Sequence, residues 1–188
     1  MDSRAGLISA ALALFARRGY DAVGVQEVAE RAGVAKPTLY HFFGSKQGLL
    51  EALFDEYASR LDKQVESAAE YFGDLPLTLD RIAAAYVEFA RQEPVFYRLE
   101  LSLHSAPPDS IGYQIATRHY SRRLGTIEGV FIKAVRQHGN MRGRHQRYAL
   151  SLVGIINLYV SLQLNERLII TDRVRHEMVH QFSHGIYS

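Results

Sequence analysis

The segment from residue 29 to 46, AERAGVAKPTLYHFFGSK, has the spacing of a helix, a short turn and a second helix. Ala29 is small where two helices cross closely, and Gly33 follows where the chain needs a positive φ. Pro37 has no N–H to lose at the first position of a helix, and it biases Lys36 towards an extended conformation. The segment therefore predicts a helix-turn-helix whose second helix begins near Lys36 or Pro37.

The second helix of this segment has a core side, formed by Leu39 and Phe43, and an outer side. Side chains in the first turns of such a helix can reach phosphates and base edges in the major groove of DNA. The outer residues, mostly polar, are Lys36, Thr38, Tyr40 and His41, with Phe42 at the edge.

Two linked runs, A-L-x-L-F-x-x-x-G-Y and G-V-x-x-x-T-L-Y-x-x-F-x-x-K, occur in this N-terminal part. They are more specific than a bare helix-turn-helix pattern, and through them the chain resembles the TetR family of bacterial transcriptional regulators. The positions that carry the resemblance are Ile8, Ala11, Leu12, Phe15, Gly19, Tyr20, Val25, Val28, Ala29, Ala32, Gly33, Val34, Thr38, Leu39, Tyr40, Phe43 and Lys46.

The resemblance implies an N-terminal DNA-binding domain over residues 1–46, with the helix-turn-helix at about 25–43, and a ligand-binding and dimerisation domain over 47–188. It also implies a homodimer that binds palindromic double-stranded DNA, with two recognition helices in successive major grooves about 34 to 36 Å apart. Glutamine suits adenine and lysine suits guanine, whereas phosphate contacts fix register without reading sequence. The implied contacts are base edges for Gln26, Lys36 and His41 and phosphates for Thr38, Tyr40 and Lys46.

Composition agrees with this interpretation without proving it. The formal net charge of +2 is too small to argue nucleic-acid binding by itself. The absence of cysteine favours a reducing cytoplasm over a secreted disulfide scaffold. A second basic concentration lies far downstream, and we interpret it as a solvated helix face rather than a second DNA contact. Against the single Glu128 it contains Arg118, Arg122, Arg123, Lys133, Arg136, Arg142, Arg144 and Arg147.

The rest of the chain shows only helical periods, broken by glycine and proline, so the predicted fold class is all-α. The N-terminal apolar run carries Asp2 before Arg4 and has helical spacing, so it predicts a first helix rather than a signal peptide. The predicted helices cover residues 3–18, 25–32, 36–42, 46–72, 77–91, 94–103, 109–137, 144–165 and 171–187.

The run from Tyr148 to Leu164 is apolar around nearly its whole circumference. Polar residues such as Asn157 and Gln163 interrupt it, so no membrane span is expected. A helix of this kind must be covered on more than one side, by its own core and by a partner subunit, although a central helix within a monomer remains an alternative. The predicted dimer interface comprises Leu152, Ile155, Ile156, Tyr159, Met178 and Phe182.

Aromatic residues on three predicted helices in the middle of the chain could enclose a cavity for a small, largely apolar or aromatic effector. An ordinary core would show the same spacing, so the ligand-binding role depends on the family resemblance. The glutamate among them also leaves a cationic or hydrogen-bonding ligand open. The predicted pocket residues are Tyr86, Phe89, Phe96, Tyr97, Glu100, Leu101, His104, Tyr113, Tyr120 and Phe131.

One motif competes with this interpretation. Residues 176–180 match H-E-x-x-H, in which two histidines bind zinc and the glutamate acts as general base. His176 and His184 lie about 12 Å apart along a helix, too far to share one tetrahedral ion, and the chain supplies no downstream third ligand. We therefore interpret the histidines as an ordinary polar helix face and expect no metal site, no cofactor and no catalytic residues. Incidental or regulatory metal binding and, more remotely, a zinc hydrolase are the alternatives.

The function that follows is a sequence-specific DNA-binding transcriptional regulator. The resemblance implies a repressor that a ligand releases, and activation by the same structure is the alternative. The ligand must bind the two arrangements of the dimer with different affinities, and the shift between these arrangements passes through the fourth helix. The alternative is a helical ligand-binding or scaffolding dimer without DNA function, which would show a degraded recognition helix.

Overall fold

The computed structural model of the chain describes residues 2–136 and 141–185. Every regular element in these ranges is an α-helix, so the predicted all-α class is confirmed. The predicted ends of the seventh and ninth helices, residues 137 and 187, lie outside the described residues. The helices are α1 (Ser3–Arg18), α2 (Val25–Arg31), α3 (Lys36–Phe43), α4 (Lys46–Ala68), α5 (Leu75–Gln92), α6 (Pro94–His104), α7 (Ile111–Ala134), α8 (His145–Leu164) and α9 (Asp172–His184).

The fourth helix is shorter than predicted, since it ends at Ala68 rather than at residue 72. Gly73 adopts a φ of 93°, which turns the chain before the next helix. Asp74 then caps α5, because its carboxylate accepts a hydrogen bond of 2.9 Å from the backbone N–H of Leu77. The cap starts α5 earlier than the apolar periodicity alone indicates.

The internal contacts divide the chain into two compact units. The first unit comprises Met1–Ser59 and Val95–His119, so it holds α1 to α3, the first part of α4, most of α6 and the beginning of α7. Within it, α1, α2 and α3 pack on one another. The fully or almost fully buried side chains of these three helices include Leu7, Ile8, Ala11, Phe15, Val28, Ala29 and Leu39.

The turn between α2 and α3 has the chemistry predicted from the sequence. Gly33 adopts a φ of 69°, and the N–H of Val34 donates to the carbonyl of Ala29 at 3.0 Å. Pro37 lies in the first turn of α3, where its missing N–H costs nothing. These features end α2 sharply and aim α3 across it.

Aromatic packing joins α4 to α6 within the first unit. The ring of Phe54 meets Phe96 edge-on at a centroid distance of 5.2 Å, and Tyr57 stacks on Phe96 at 5.3 Å. Phe54 and Phe96 are both fully buried. The first part of α4 therefore shares a core with α6.

The second unit comprises Arg60–Pro94 and Tyr120–Ser188, and in it α5 packs on α8 and α9. Its described core includes a buried ion pair, in which Arg123 donates to the carboxylate of Asp62 at 2.9 Å. The side chains of this pair are only 2% and 5% exposed. A buried pair of this kind fixes how α4 meets α7 more than it adds stability, because desolvation offsets much of the attraction.

In the described part of the chain, α8 alone is long and apolar enough to meet the composition of a membrane span, with a mean hydropathy of 1.2. Only 28% of its most apolar window is buried inside the structure. Length and composition do not distinguish a span from a helix that is covered in another way.

The predicted domain boundary after residue 46 falls at the first residue of α4. The two compact units do not divide there, since the first unit continues to Ser59 and takes in α6. As a functional division between DNA binding and ligand binding, the boundary stays a prediction.

We expect Gly33→Ala to destabilise the protein by about 1 to 2 kcal/mol, because a residue with a Cβ pays that energy for a left-handed conformation. A Cβ at Gly33 would meet no atom within 4 Å, so the cost is conformational rather than steric. Urea unfolding followed by far-UV circular dichroism measures the effect.

Gly6→Ala is the matched control for this prediction. Gly6 lies inside α1 with open space around its Cα, and alanine there should stabilise by up to about 1 kcal/mol. Equal effects of the two substitutions would show that the turn does not require glycine.

Candidate nucleic-acid interface

The second helix of the motif, α3, presents an exposed and mostly polar surface. Of its residues, Leu39 is fully buried, whereas Lys36, Tyr40, His41 and Phe42 are exposed. The Lys36 ammonium lies 5.9 Å from the centroid of the Tyr40 ring, which leaves both groups on the same outer surface. A positive charge beside a phenol suits the negatively charged backbone of DNA.

Thr38 and Gln26 hold different positions on this surface. Thr38 is half-buried in the first turn of α3, so only part of its side chain is accessible. Gln26 is exposed near the start of α2, and its amide donates to the carboxylate of Glu30 at 2.8 Å. The amide must exchange that bond if it is to contact a base.

Lys46 is anchored inside the first unit more firmly than the sequence indicated. Its ammonium donates to the backbone carbonyl of Asp21 at 3.3 Å and lies 4.3 Å from the centroid of the Tyr20 ring. Burial lowers the pKa of Lys46, while the nearby Asp21 carboxylate opposes that shift. The charge is therefore fixed in position at the start of α4.

Two features of this surface were not among the predicted contacts. Phe42 is 41% exposed, with His41 packed edge-on against it at 5.3 Å, and an exposed phenylalanine can contact a thymine methyl group. Ser45 caps α4 by accepting the N–H of Gly48 at 2.9 Å. The serine directly before the start of α4 is the sequence signal for this cap.

The two acidic side chains of α2 are held in an ion pair or a hydrogen bond. Glu27 pairs with Arg18, and Glu30 accepts from Gln26. Arg17 and Arg31 are exposed on the same three-helix assembly. Partnered acids reduce the repulsion that this region would exert on phosphates.

The side chains of the H-E-x-x-H segment contact charged neighbours within the second unit. The imidazole of His176 lies 2.8 Å from the carboxylate of Asp80, which also receives Arg175 at 3.1 Å, and Glu177 accepts from Arg173 at 2.8 Å. Across residues 2–136 and 141–185, no three His, Asp or Glu side chains form a group that could hold a metal ion. This geometry gives no support to a zinc hydrolase.

The predicted pocket residues fall in both compact units. Tyr86, Phe89, Tyr120 and Phe131 belong to the second unit and the others to the first. Those that are at most 4% exposed are Tyr86, Phe89, Phe96, Tyr97, Glu100 and Phe131, whereas Leu101, His104, Tyr113 and Tyr120 are half-buried.

Within the second unit, one predicted pocket residue lines an observed cavity. Phe131 contributes to a largely apolar cavity of about 300 Å³, together with Leu79, Tyr148 and Phe182. The sequence pattern did not distinguish these wall residues from the rest of the core.

The predicted dimer-interface residues divide into two groups. Leu152, Ile156 and Met178 are buried within the chain itself, since α8 and α9 pack on α5 through the second unit's core. Ile155, Tyr159 and Phe182 are half-buried. The outer face of α8 also exposes Leu150 and Leu158, at 45% and 60%, which the prediction omitted.

Comparison with known proteins agrees with the geometry. Residues 7–53 match the family model described as bacterial regulatory proteins of the tetR family. The HTH-type transcriptional activator FasR of Mycolicibacterium smegmatis is 32% identical over 157 residues, which cover 82% of this chain and 69% of FasR. The HTH-type transcriptional repressor BdcR of Escherichia coli is 50% identical over 50 residues, covering 27% of this chain and 25% of BdcR.

The fold is also similar to a solved structure, that of FadR from Bacillus subtilis in complex with stearoyl-CoA. The TM-score is 0.80 at 19% identity, and the match covers 97% of this chain and 99% of FadR. An exposed recognition helix on a glycine-turned helix pair defines a DNA-binding protein of the helix-turn-helix class. The chain belongs to the TetR family and is a DNA-binding transcriptional regulator.

Because the phenol of Tyr20 is buried, the free energy of unfolding should decrease at alkaline pH. Tyr20 is 4% exposed and packs edge-on against Phe15. Burial raises the pKa of Tyr20, and the carboxylates of Asp21 and Glu51 raise it further. The stability that this group contributes is fully present below the unfolded pKa of about 10 and is lost as pH rises through the folded value.

We therefore expect Tyr20→Phe to lose less stability than the parent protein between about pH 8 and pH 10.5. Urea unfolding midpoints at the two pH values measure the difference, and the other tyrosines cancel in the comparison. An equal loss in both proteins would contradict the assignment to Tyr20.

Proposed function

We propose that this regulator binds a palindromic operator as a homodimer and releases or rearranges on it when a small effector binds. The observation that carries the proposal is the exposed polar surface of α3, where Lys36, Tyr40 and His41 are accessible while Leu39 holds the helix from behind. A recognition helix that retains both sides of this pattern favours DNA reading over a scaffold that has lost it.

Each exposed side chain has a task in this proposal. Lys36, His41 and Gln26 read base edges in the major groove. Thr38 and Tyr40 contact phosphates through their hydroxyls. Lys46, fixed by the Asp21 carbonyl and the Tyr20 ring, adds a phosphate contact from the start of α4.

The second subunit is proposed to cover the outer face of α8 and α9. Leu150 and Leu158 are exposed apolar residues on α8, and a groove between the two helices is lined by Ile155, Tyr159 and Phe182 among others. A twofold interface of four helices would bury this surface. Leu152, Ile156 and Met178, which are buried within each chain, would pack behind it. In this arrangement a second subunit, rather than a membrane, covers the exposed apolar side chains of α8.

The effector is proposed to be small and largely apolar, of the acyl-thioester class. FadR of Bacillus subtilis, which has a similar fold, was crystallised with stearoyl-CoA. The apolar cavity beside Phe131 in the second unit suits part of such a ligand. Coupling requires that the effector bind the DNA-competent and DNA-incompetent arrangements with different affinities.

We propose that the protein represses transcription and that the effector relieves the repression. Both kinds of regulator occur among the relatives, since FasR is an activator and BdcR is a repressor. We also propose a cytoplasmic location, where operator and metabolite-derived effector are both available. The domain division at residue 46 belongs to the same proposal.

We expect Lys36→Gln to weaken binding to the operator by about 1 to 3 kcal/mol while changing binding to random DNA much less. Fluorescence anisotropy with the chain's own upstream intergenic DNA, across a salt series, measures both. Tyr40→Phe should instead weaken binding to all sequences alike, because it removes a phosphate contact. Addition of stearoyl-CoA to the operator complex tests the effector class.

Lys63→Gln is the matched control, since Lys63 is an exposed lysine on the part of α4 that belongs to the second unit. It removes the same charge and should leave the affinity for the operator unchanged. Equal losses from Lys36→Gln on operator and random DNA would contradict a base-reading role.

We expect Leu158→Glu to convert a dimer into a monomer of 21.2 kDa, because a carboxylate in the centre of an apolar interface lacks a partner. Light scattering coupled to size exclusion reports the mass. Leu77→Glu is the control: Leu77 is 54% exposed but lies on α5, so its variant should keep the parent mass. A Leu158→Glu protein that remains dimeric would contradict the proposed face.

A further inference from the structure

The second unit contains a long stretch without acidic residues. Between Gly129 and Asn165 the sequence has no Asp or Glu, and the DNA interface uses none of its basic residues. An excess of one sign over such a length raises the local concentration of anions. The basic residues of the stretch are Lys133, Arg136, Arg142, Arg144 and Arg147.

A groove of about 670 Å³ lies at one end of this stretch, in the second unit. One wall comes from the connection between α4 and α5, and the other comes from the end of α7. Volumes of this size are typical of small-molecule sites. The groove is lined by Tyr71, Phe72, Gly73, Ile132, Lys133 and Arg136.

Phe72 gives the groove an aromatic platform. Its side chain is 78% exposed, although a phenylalanine in a connection normally gains by burial. The guanidinium of Arg81 lies 5.8 Å from the centroid of the Phe72 ring, and Arg81 also bonds Thr78 and the carbonyl of Glu70. The ring is therefore flanked by a fixed cation and open to solvent.

Two further cations stand on the opposite wall of the groove. Lys133 lies in the last turn of α7 and Arg136 just after it, and both are exposed. The negative end of the α7 dipole accounts for a cation there, but it does not explain an exposed aromatic facing the same groove. Of the nearby acids, Asp74 is engaged in capping α5, and Glu70 is exposed.

We propose that this groove binds a nucleotide, with the base stacked on Phe72 and the phosphates held by Lys133 and Arg136. Aromatic rings accept the π-face of a base, and Lys and Arg pair with phosphate oxygens. The nucleotide can be free or can be the nucleotide end of a larger ester such as coenzyme A. The groove is concave, and two cations line it beside the exposed Phe72 and Ile132, which favours a discrete anionic ligand with an aromatic part over a lipid surface. A free nucleotide would make this site independent of the proposed effector and operator, whereas the coenzyme A source rests on the proposed acyl-thioester effector.

Isothermal titration of the full-length protein with ADP tests the proposal. We expect ADP to bind, adenosine and inorganic pyrophosphate each to bind more weakly, and Phe72→Ala to raise the Kd for ADP about fivefold to a hundredfold, the range of base–aromatic stacking. The double variant Lys133→Gln, Arg136→Gln should raise it by about tenfold or more, because each charged hydrogen bond contributes that order of affinity.

Matched controls separate the groove from general effects. Ile169 is 79% exposed and Lys63 is exposed outside the groove, so Ile169→Ala and Lys63→Gln should leave ADP binding unchanged. Unchanged far-UV circular dichroism shows that each variant folds. Competition between ADP and coenzyme A for one site would assign the groove to the nucleotide end of the larger ester, whereas binding of ADP alone would assign it to a free nucleotide.

Three results would overturn the proposal. One is the absence of heat with millimolar ADP. Another is pyrophosphate binding as tight as that of ADP, which would mean an anion site without base recognition. The third is a result in which the protein sediments with anionic vesicles and the groove variants do not, although these variants still bind ADP as the parent protein does. That result would assign the groove to a lipid surface.

Discussion

The burial of the first half of α4 is the constraint on which the DNA-binding part of the molecule depends. Leu49, Leu50, Leu53 and Phe54 are all fully buried, so this part of α4 contributes four large apolar side chains to the core of the first unit, which also holds α1, α2 and α3. Burial of four large apolar side chains contributes on the order of 1.5 to 3 kcal/mol for each. Because Phe54 also packs on Phe96, a displacement of α6 would have to move the first part of α4 or open the core between these two helices.

Most features that depend on neighbouring residues in the sequence could be predicted, whereas features that depend on distant contacts could not. Gly33 and Pro37 define the turn and the start of α3 by backbone rules that no distant contact can override, so the recognition helix followed from the sequence. The start of α5 did not, because the Asp74 cap begins this helix at Leu75, before the point that apolar periodicity predicts. For the candidate site, outward positions on α3 could be predicted from spacing, but the anchoring of Lys46 required the three-dimensional approach of Asp21.

For the apolar parts of the chain, the sequence predicted which residues avoid water but not what covers them. Helical periodicity identifies side chains that avoid water, but it does not say whether the cover comes from the same chain, a ligand or a second copy. Leu152 and Leu158 illustrate this, since both belong to the apolar circumference of α8, yet one is fully buried and the other is 60% exposed. Aromatic residues in the middle of the chain were ambiguous for the same reason, and Phe131 acquires a cavity only through helices far away in sequence.

The small core contribution of α3 has a further consequence for how the protein searches DNA. All eight residues of α3 are described, and Leu39 alone among them is buried. A helix held by so few apolar contacts has a low free energy for local opening, so its amide hydrogens should exchange sooner than those of α1. If docking in the major groove orders α3, part of the binding free energy offsets that ordering, and DNA sequences that offer fewer side-chain contacts are released sooner.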